Sequence, residues 1–218
     1  EFTFSKCSSL KKISIPESVT SIGYSAFQSC TYLIEVNIDS SSEMTSIYDF
    51  AFYQCPRLTT ISLPSKLTVI GEYSFLGCIS LKEIKIPSSV IEIKDGAFKG
   101  CKELSNVLFE NNSLLKKLGS SVFFECLKLS KISIPSSLES TGMNVFYGCS
   151  QLGKVIFNEN SLLKAIAPSS FKKCTELNEI NIPPSVKSIG SSAFENCEKL
   201  AHIGIPTKVK IIEFSTFK

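Results

Sequence analysis

The sequence predicts a solenoid of nine stacked turns, and three features that recur together along the chain support this fold. The nine cysteines, from Cys7 to Cys197, follow one another at intervals of 23 or 25 residues. A phenylalanine lies three residues before each cysteine, and a leucine lies three residues after it. Because a repeat of roughly 20 to 50 residues is typical of proteins built from stacked units, each interval is interpreted as one turn.

The leucine begins the motif L-x-x-I-x-I, which predicts one strand in every turn. The motif is clear in Leu10–Ile15 and in Leu81–Ile86. Its last three residues alternate apolar, polar and apolar, as expected of a half-buried strand. Proline follows six of the nine strands and ends them, because it cannot donate a ladder hydrogen bond. The motif therefore predicts a leucine-rich-repeat solenoid with a parallel β-sheet on its concave face.

The rest of each turn predicts short strands or 3-10 turns on the other side of the solenoid. In the first turn this part reads S-V-x-x-I-G over Ser18–Gly23 and A-F-x-x-C over Ala26–Cys30. A single turn cannot bury its own apolar side chains, so neighbouring turns must stack and share one elongated core. Equivalent phenylalanines and cysteines are then expected to form continuous columns inside the solenoid.

The cysteines are interpreted as buried free thiols rather than as disulfides or metal ligands. Each recurs at an apolar position, where cysteine behaves as a small hydrophobic residue. The sequence has no C-x-x-C motif and only one histidine, His202, so the usual zinc clusters cannot form locally. The odd number of cysteines prevents complete intramolecular pairing. We expect neither a metal site nor a cofactor.

Residues 1–218 are expected to form a single array without an internal domain boundary. The chain opens at Phe4 and closes at Phe217, which occupy the same position of the repeat. Neither end resembles the polar cap that a repeat array needs, so the chain is expected to be a segment of a longer repeat protein. The sequence contains no run of 18 consecutive apolar residues, so we predict no membrane span.

The complete pattern L-x-x-I-x-I-P-x-S-V-x-x-I-G-x-x-A-F-x-x-C closely resembles the BspA-like leucine-rich repeat, also called the Treponema pallidum type. Three turns depart from it by inserting two residues and replacing the proline, at Asp39–Glu43, Glu110–Leu114 and Asn158–Leu162. The last two look like the longer turn of protist members. The resemblance implies a cell-surface or secreted protein that adheres to a protein or glycan on host cells, matrix or other microbes.

The three inserted segments are rich in carboxylate and amide oxygens, which are ligands that calcium accepts. They belong to turns two, five and seven, which are not adjacent. We therefore interpret them as loops and expect no two of them to share a site.

The candidate binding face consists of the two outward positions that flank the central apolar residue of each strand. The first column is Lys12, Glu35, Thr60, Glu83, Asn106, Lys131, Lys154, Glu179 and His202. The second column is Ser14, Asn37, Ser62, Lys85, Leu108, Ser133, Ile156, Asn181 and Gly204. We predict that ligands contact these columns.

Two features stand out on this face. Leu108 and Ile156 place aliphatic side chains on either side of Ser133, where they either form part of an interface or reflect neutral drift. Lys131 and Lys154 are adjacent, with Glu179 next to them, and they either meet an anionic ligand or are solvated surface charges.

Binding is a better interpretation than catalysis. A serine or cysteine nucleophile needs a base, and His202 is the sole histidine. The balance of 23 basic against 20 acidic residues gives no indication of nucleic-acid binding. We predict a non-enzymatic adhesion module, with an intracellular protein-interaction scaffold as the alternative; the sequence leaves the oligomeric state open.

Overall fold

The computed structural model of the protein describes residues 1–39 and 41–218, and these residues form a coil of stacked turns with three kinds of side. The first side holds one strand of the L-x-x-I-x-I motif per turn. These strands are β1 (Lys12–Ile15), β3 (Glu35–Ile38), β5 (Thr60–Ile61), β7 (Glu83–Ile86), β9 (Asn106–Phe109), β11 (Lys131–Ile134), β13 (Lys154–Phe157), β15 (Glu179–Asn181) and β17 (His202–Gly204).

The second side holds a two-residue strand per turn, formed by the I-G segment. These strands are β2 (Ser21–Ile22), β4 (Ser46–Ile47), β6 (Val69–Ile70), β8 (Glu92–Ile93), β10 (Lys117–Leu118), β12 (Ser140–Thr141), β14 (Ala165–Ile166) and β16 (Ser188–Ile189). The ninth turn contributes an isolated bridge between Ile189 and Ile212. The predicted solenoid with one sheet and short strands on another side is confirmed.

All paired strands are parallel and in register, so equivalent residues of neighbouring turns lie side by side. Ile13 pairs with Val36, and Ile132 pairs with Val155. On the first side the paired strands are β1-β3-β5, β7-β9 and β11-β13-β15-β17. On the second side they are β2-β4-β6-β8-β10-β12 and β14-β16. Parallel pairing at a spacing of about 4.8 Å converts a regular sequence period into straight columns of side chains.

The third side is a stack of tight turns built from the A-F-x-x-C segment. Two residues in each of these segments adopt a left-handed backbone, for example Ser25 (φ 52°) and Ser29 (φ 57°). This conformation aims their N–H groups at the next turn, where Ser25 donates to the carbonyl of Asp49 and Ser29 to that of Tyr53. The glycine before this side is required by close packing, because a Cβ on Gly142 would lie 2.4 Å from the backbone nitrogen of Ser120.

The core is continuous along the solenoid and is built of columns of equivalent side chains, of which the phenylalanines are the largest. The ten repeated phenylalanines stack face to face along the solenoid, with ring centroids 5.1–5.6 Å apart and interplanar angles of at most 15°. Phe52, Phe75, Phe98 and Phe123 are fully buried, whereas Phe4 and Phe217 are 38% and 46% exposed. Stacking therefore buries aromatic surface that an isolated turn leaves in water.

The cysteines form the second column, as predicted. All nine are free thiols, and those from Cys30 to Cys174 are buried. Each thiol from Cys30 onward also donates a hydrogen bond to the phenylalanine carbonyl of the preceding turn, as in Cys30 to Phe4 at 3.0 Å and Cys101 to Phe75 at 3.2 Å. An alanine or valine would fill similar space but lacks this donor, which explains why the position recurs as cysteine.

Candidate binding face

The two columns of the predicted binding face lie on the outer surface of the first sheet. Lys12 pairs in register with Glu35, Glu83 with Asn106, and Lys131 with Lys154. Glu35, Asn106 and Ile156 are half-buried. The remaining members are exposed, namely Lys12, Ser14, Asn37, Thr60, Ser62, Glu83, Lys85, Leu108, Lys131, Ser133, Lys154, Glu179, Asn181, His202 and Gly204. The alternation of inward and outward side chains thus follows the sequence pattern, while ligand binding by these residues stays a prediction.

The charges near the first turns are neutralised by neighbours. Lys12 forms an ion pair with Glu35 on the next turn at 2.6 Å, and Asn37 donates a hydrogen bond to the same carboxylate at 2.9 Å. The hydrogen bond from Lys12, followed by that from Asn37, lowers the pKa of Glu35 below its ordinary value. This part of the face therefore presents little free charge to a ligand.

Lys85 and Glu110 form a second neutralised pair farther along the sheet. Their charged groups are 2.7 Å apart, and Glu110 also accepts a hydrogen bond from the backbone N–H of Ser88 at 3.1 Å. The hydrogen bond from Lys85 is the main reason that the pKa of Glu110 is lowered. Glu110 belongs to the inserted segment of turn five, so this loop is tied to the binding face.

Lys131 and Lys154 behave differently from these pairs. They are in-register partners on β11 and β13, and Lys154 is in turn opposite Glu179 on β15. Neither lysine forms an ion pair with any residue of the described ranges 1–39 and 41–218. Glu179 instead accepts a hydrogen bond from Asn181 at 3.3 Å. Two like charges that face each other across a strand pair are unfavourable, so both lysines are available to an anion.

Leu108 and Ile156 lie beside these lysines, on either side of Ser133. Ser133 pairs with Ile156, and β9 packs against β11. Leu108 is 49% exposed. The cationic and aliphatic features that the sequence singled out are therefore brought together on three neighbouring turns, around Ser133.

A polar cleft of about 630 Å³ opens next to this cluster, at the carboxyl ends of β9, β11 and β13. Its walls are the inserted segments of turns five and seven, through Glu110–Ser113 and Asn158, and its floor is Ser133–Ser136 of the shorter turn six. Two non-adjacent inserted segments therefore line one cleft, while the expectation that no two of them share a ligand site stays a prediction. Two longer turns that flank a shorter one form a cleft between them, and the alternating repeat lengths were the signal for it.

A second depression lies over turns three and four, beside the inserted segment of turn five. It has a volume of about 410 Å³ and is lined by Thr60–Leu63, Glu83, Lys85, Pro87 and Glu110. The segment Asp39–Glu43 of turn two includes Ser40, which lies outside the described residues. Glu110 therefore separates the two depressions, with its charge neutralised by Lys85.

Groups for metal binding or for acid-base chemistry do not converge in the described chain. Within residues 1–39 and 41–218, no three His, Cys, Asp or Glu side chains are grouped as metal ligands. His202 is exposed on β17, and Thr60 on β5 separates Glu35 from Glu83. The described residues form no helix with the length and apolar character needed to cross a lipid bilayer.

Comparison with protein families gives one match along the chain. The family described as "BspA type Leucine rich repeat region (6 copies)" matches residues 1–114, 68–165 and 103–218. No curated protein matches the sequence significantly.

Solved structures give the same fold. The T. pallidum leucine-rich repeat protein is 25% identical, covers 87% of this chain and 83% of its own, and superimposes with a TM-score of 0.67. A leucine-rich repeat protein from Eubacterium ventriosum is 19% identical over 99% of this chain and 76% of its own, with a TM-score of 0.50. The pneumococcal vaccine antigen PcpA is 20% identical over 91% of this chain and 51% of its own, with a TM-score of 0.51.

Proposed function

Because this chain belongs to the BspA-type leucine-rich repeat family, we propose that it is the ligand-binding part of a cell-surface or secreted adhesion protein. Leucine-rich repeat folds are typically non-enzymatic scaffolds that bind proteins, which is the general class of activity here. The adhesion role extends this general class. The proposed ligand is a protein or glycan on a host cell, on extracellular matrix or on another microbe.

The observation that carries the proposal is the adjacent pair Lys131 and Lys154. Elsewhere on the sheet face, lysines such as Lys12 and Lys85 have carboxylate partners within 2.7 Å. The absence of such partners for Lys131 and Lys154 within the described ranges is a local departure from that arrangement. A departure of this kind has a stability cost and is expected where function requires it.

The surroundings of the two lysines define the ligand that would fit. Leu108 and Ile156 offer aliphatic contact, and the cleft walled by Asn111 and Asn158 offers amide groups. A suitable ligand has an acidic group for the lysines, an apolar surface for the aliphatic side chains, and hydrogen-bonding groups for the cleft. Both an acidic protein loop and an acidic glycan meet these requirements, so the proposal covers both.

The proposal is tested by measuring adhesion of the purified array to host cells, to matrix proteins and to other microbes. We expect saturable binding to one of these surfaces, and we expect the double variant Lys131→Glu with Lys154→Glu to bind at least tenfold more weakly. A matched control replaces Lys6 and Lys102, which are exposed outside the first sheet, with glutamate. The control has the same change in net charge and should retain binding.

Both variants should keep melting temperatures within about two degrees of the unmodified protein, because surface substitutions rarely change stability by more than about 0.5 kcal/mol. Absence of saturable binding to every surface would contradict adhesion. Equal losses in the two double variants would show that net charge, and not the sheet face, governs the attachment.

A second candidate function is an intracellular protein-interaction scaffold. The nine free thiols favour it, since unpaired cysteines are usual in a reducing compartment. Localisation of the full-length product separates the two functions. Export to the cell surface supports adhesion, whereas retention in the cytosol supports the scaffold.

A further inference from the structure

A column of exposed lysines lies on the side formed by the short strands, away from the sheet face. Its members are Lys164, Lys187 and Lys210, named here the lysine column. Ala165 pairs with Ser188, and Ile189 bridges Ile212, so the three lysines occupy the same position on three successive turns. Their backbones are therefore separated by the strand spacing of about 4.8 Å per turn.

This arrangement differs from the ion pairs that occur on the surface. Six of the seven ion pairs among the described residues join a lysine to a glutamate on a neighbouring turn. In the same turns as the lysine column, Lys172 pairs with Glu195 and Lys199 pairs with Glu176. The lysine column has no such partner within the described ranges, although Glu139 occupies the preceding position of the column.

A column of acidic residues elsewhere on the surface shows how the fold itself can account for like charges on successive turns. Asp49, Glu72 and Asp95 also follow one another on successive turns. Asp49 accepts a hydrogen bond from the backbone N–H of Glu72, and Asp95 accepts one from that of Ser120, both at 2.8 Å. The carboxylates of Asp49 and Asp95 therefore accept hydrogen bonds from backbone N–H groups of the next turn. The ammonium groups of the lysine column make no comparable hydrogen bond in the described structure, so the fold does not explain them.

The surface beside the lysine column is a shallow trough of about 540 Å³. It is lined by Lys187, Ser188, Lys208, Lys210, Ile211 and Glu213. Ile211 is 63% exposed. The trough thus combines three lysines, an aliphatic side chain and a hydroxyl group with the single carboxylate of Glu213. Because cations outnumber anions there, the trough suits a ligand that carries both acidic groups and apolar C–H surfaces.

We propose that the lysine column and its trough bind a linear acidic polysaccharide whose chain runs along the solenoid axis. Sugar rings repeat at about the interval of the strands, so successive carboxylate or sulfate groups can meet successive lysines, while the C–H face of a ring packs on Ile211. This site is separate from the sheet face and does not depend on the adhesion role.

The shape of the site favours this ligand over two other polyanions. A membrane surface is planar and attracts a broad basic patch, whereas these lysines stand in a single row. Single-stranded nucleic acid is usually held by aromatic rings that stack on its bases, and the residues that line the trough include none.

The experiment uses a heparin-derived hexasaccharide as the probe and isothermal titration calorimetry as the measurement, at two salt concentrations. We expect the unmodified protein to bind the hexasaccharide, and to bind it more weakly at the higher salt concentration. The triple variant Lys164→Gln, Lys187→Gln, Lys210→Gln should bind at least tenfold more weakly with an unchanged melting temperature. Restoring the charges with Lys164→Arg, Lys187→Arg, Lys210→Arg should restore binding.

The matched control is the double variant Lys6→Gln with Lys102→Gln, at exposed lysines outside both the sheet face and the lysine column, which should retain the affinity of the unmodified protein. Equal binding by the triple variant and the unmodified protein would overturn the proposal. Loss of binding in a Lys131→Gln with Lys154→Gln variant, together with retained binding by the triple variant, would assign the polysaccharide to the sheet face and would also overturn the proposal. Equal affinity for a hexasaccharide that is both desulfated and carboxyl-reduced, or tighter association with phosphatidylserine vesicles than with the hexasaccharide, would refute the acidic-polysaccharide assignment.

Discussion

The inner and outer columns of this solenoid follow opposite rules. Inside, identical residues stack on every turn, and the phenylalanine rings pack at 5.1–5.6 Å because each contact removes apolar surface from water. Outside, six of the seven ion pairs among the described residues join opposite charges on neighbouring turns, as Lys12 and Glu35 do. Repetition is therefore favourable for uncharged interior groups and unfavourable for exposed charges.

The comparison identifies which repeated features need a functional explanation. The cysteine column is repeated because its thiols donate to the phenylalanine carbonyls of the preceding turn. The pair Lys131 and Lys154 and the lysine column are repeated without such a contact in the described chain. They are thus the two places where an external anion is the simplest reason for stacking like charges.

The largest expected effect on stability comes from ionisation of the buried cysteine thiols at high pH. Burial raises the pKa of Cys78 and of Cys149 to about 12, whereas an unfolded cysteine titrates near pH 8.5, roughly its model-peptide value. The contribution of these two thiols to the free energy of unfolding is complete below about pH 8.5. It is lost as the pH rises toward 12, because in that range the unfolded chain releases the thiol protons and the folded chain keeps them. The cost at pH 10 is about 2 kcal/mol per thiol.

Urea unfolding at pH 7.5, 8.5, 9.5 and 10, with a reductant present, measures this loss. The variant Cys78→Ala with Cys149→Ala should be less stable at pH 7.5 but should lose stability with pH less steeply. The two proteins differ in no other titratable group, so the difference in slope isolates the two thiols. Parallel curves for the variant and the unmodified protein would contradict the buried-thiol account.

The next effect is the removal of one ring from the phenylalanine column. Phe98 is fully buried and stacks between Phe75 and Phe123, so Phe98→Ala should lower the free energy of unfolding by about 3–5 kcal/mol through lost burial and the cavity left behind. Phe217→Ala is the control, since Phe217 is 46% exposed and stacks on a single neighbour. Chemical denaturation should show the smaller loss there, and equal losses would mean that the column does not contribute through burial.

The smallest expected effect concerns the charges on the outer surface, where like charges on neighbouring turns are unfavourable (the outer rule). The same substitution at two equivalent positions tests this rule. Lys131→Glu replaces a like-charge contact with Lys154 by an opposite-charge contact, and it should stabilise the protein by about 0.2–1 kcal/mol. Lys12→Glu does the reverse against Glu35 and should lower the melting temperature. Both differences should shrink at high salt. Thermal melting at low and high salt checks the signs, and the same sign for both variants would refute the outer rule.

Much of the fold was predictable because the repeat period is nearly constant. The strand at Lys12–Ile15, the inward-facing Phe98 and the buried Cys101 follow from the period and from the alternation of apolar and polar residues. The outward columns of the binding face were read from the same pattern. The lysine column was also readable, since Lys164, Lys187 and Lys210 are 23 residues apart, but it lies outside the strand motif that guided the prediction.

The sequence by itself determined which residues share a column, because parallel in-register stacking turns equal spacing along the chain into adjacency in space. The tertiary structure decided which side chains in different columns meet. The ion pair of Glu110 with Lys85 and the cleft between Asn111 and Asn158 depend on how far the inserted segments project past the shorter turn between them. That projection is set by the backbone path of each loop and by packing on its neighbours, which the spacing of residues does not specify.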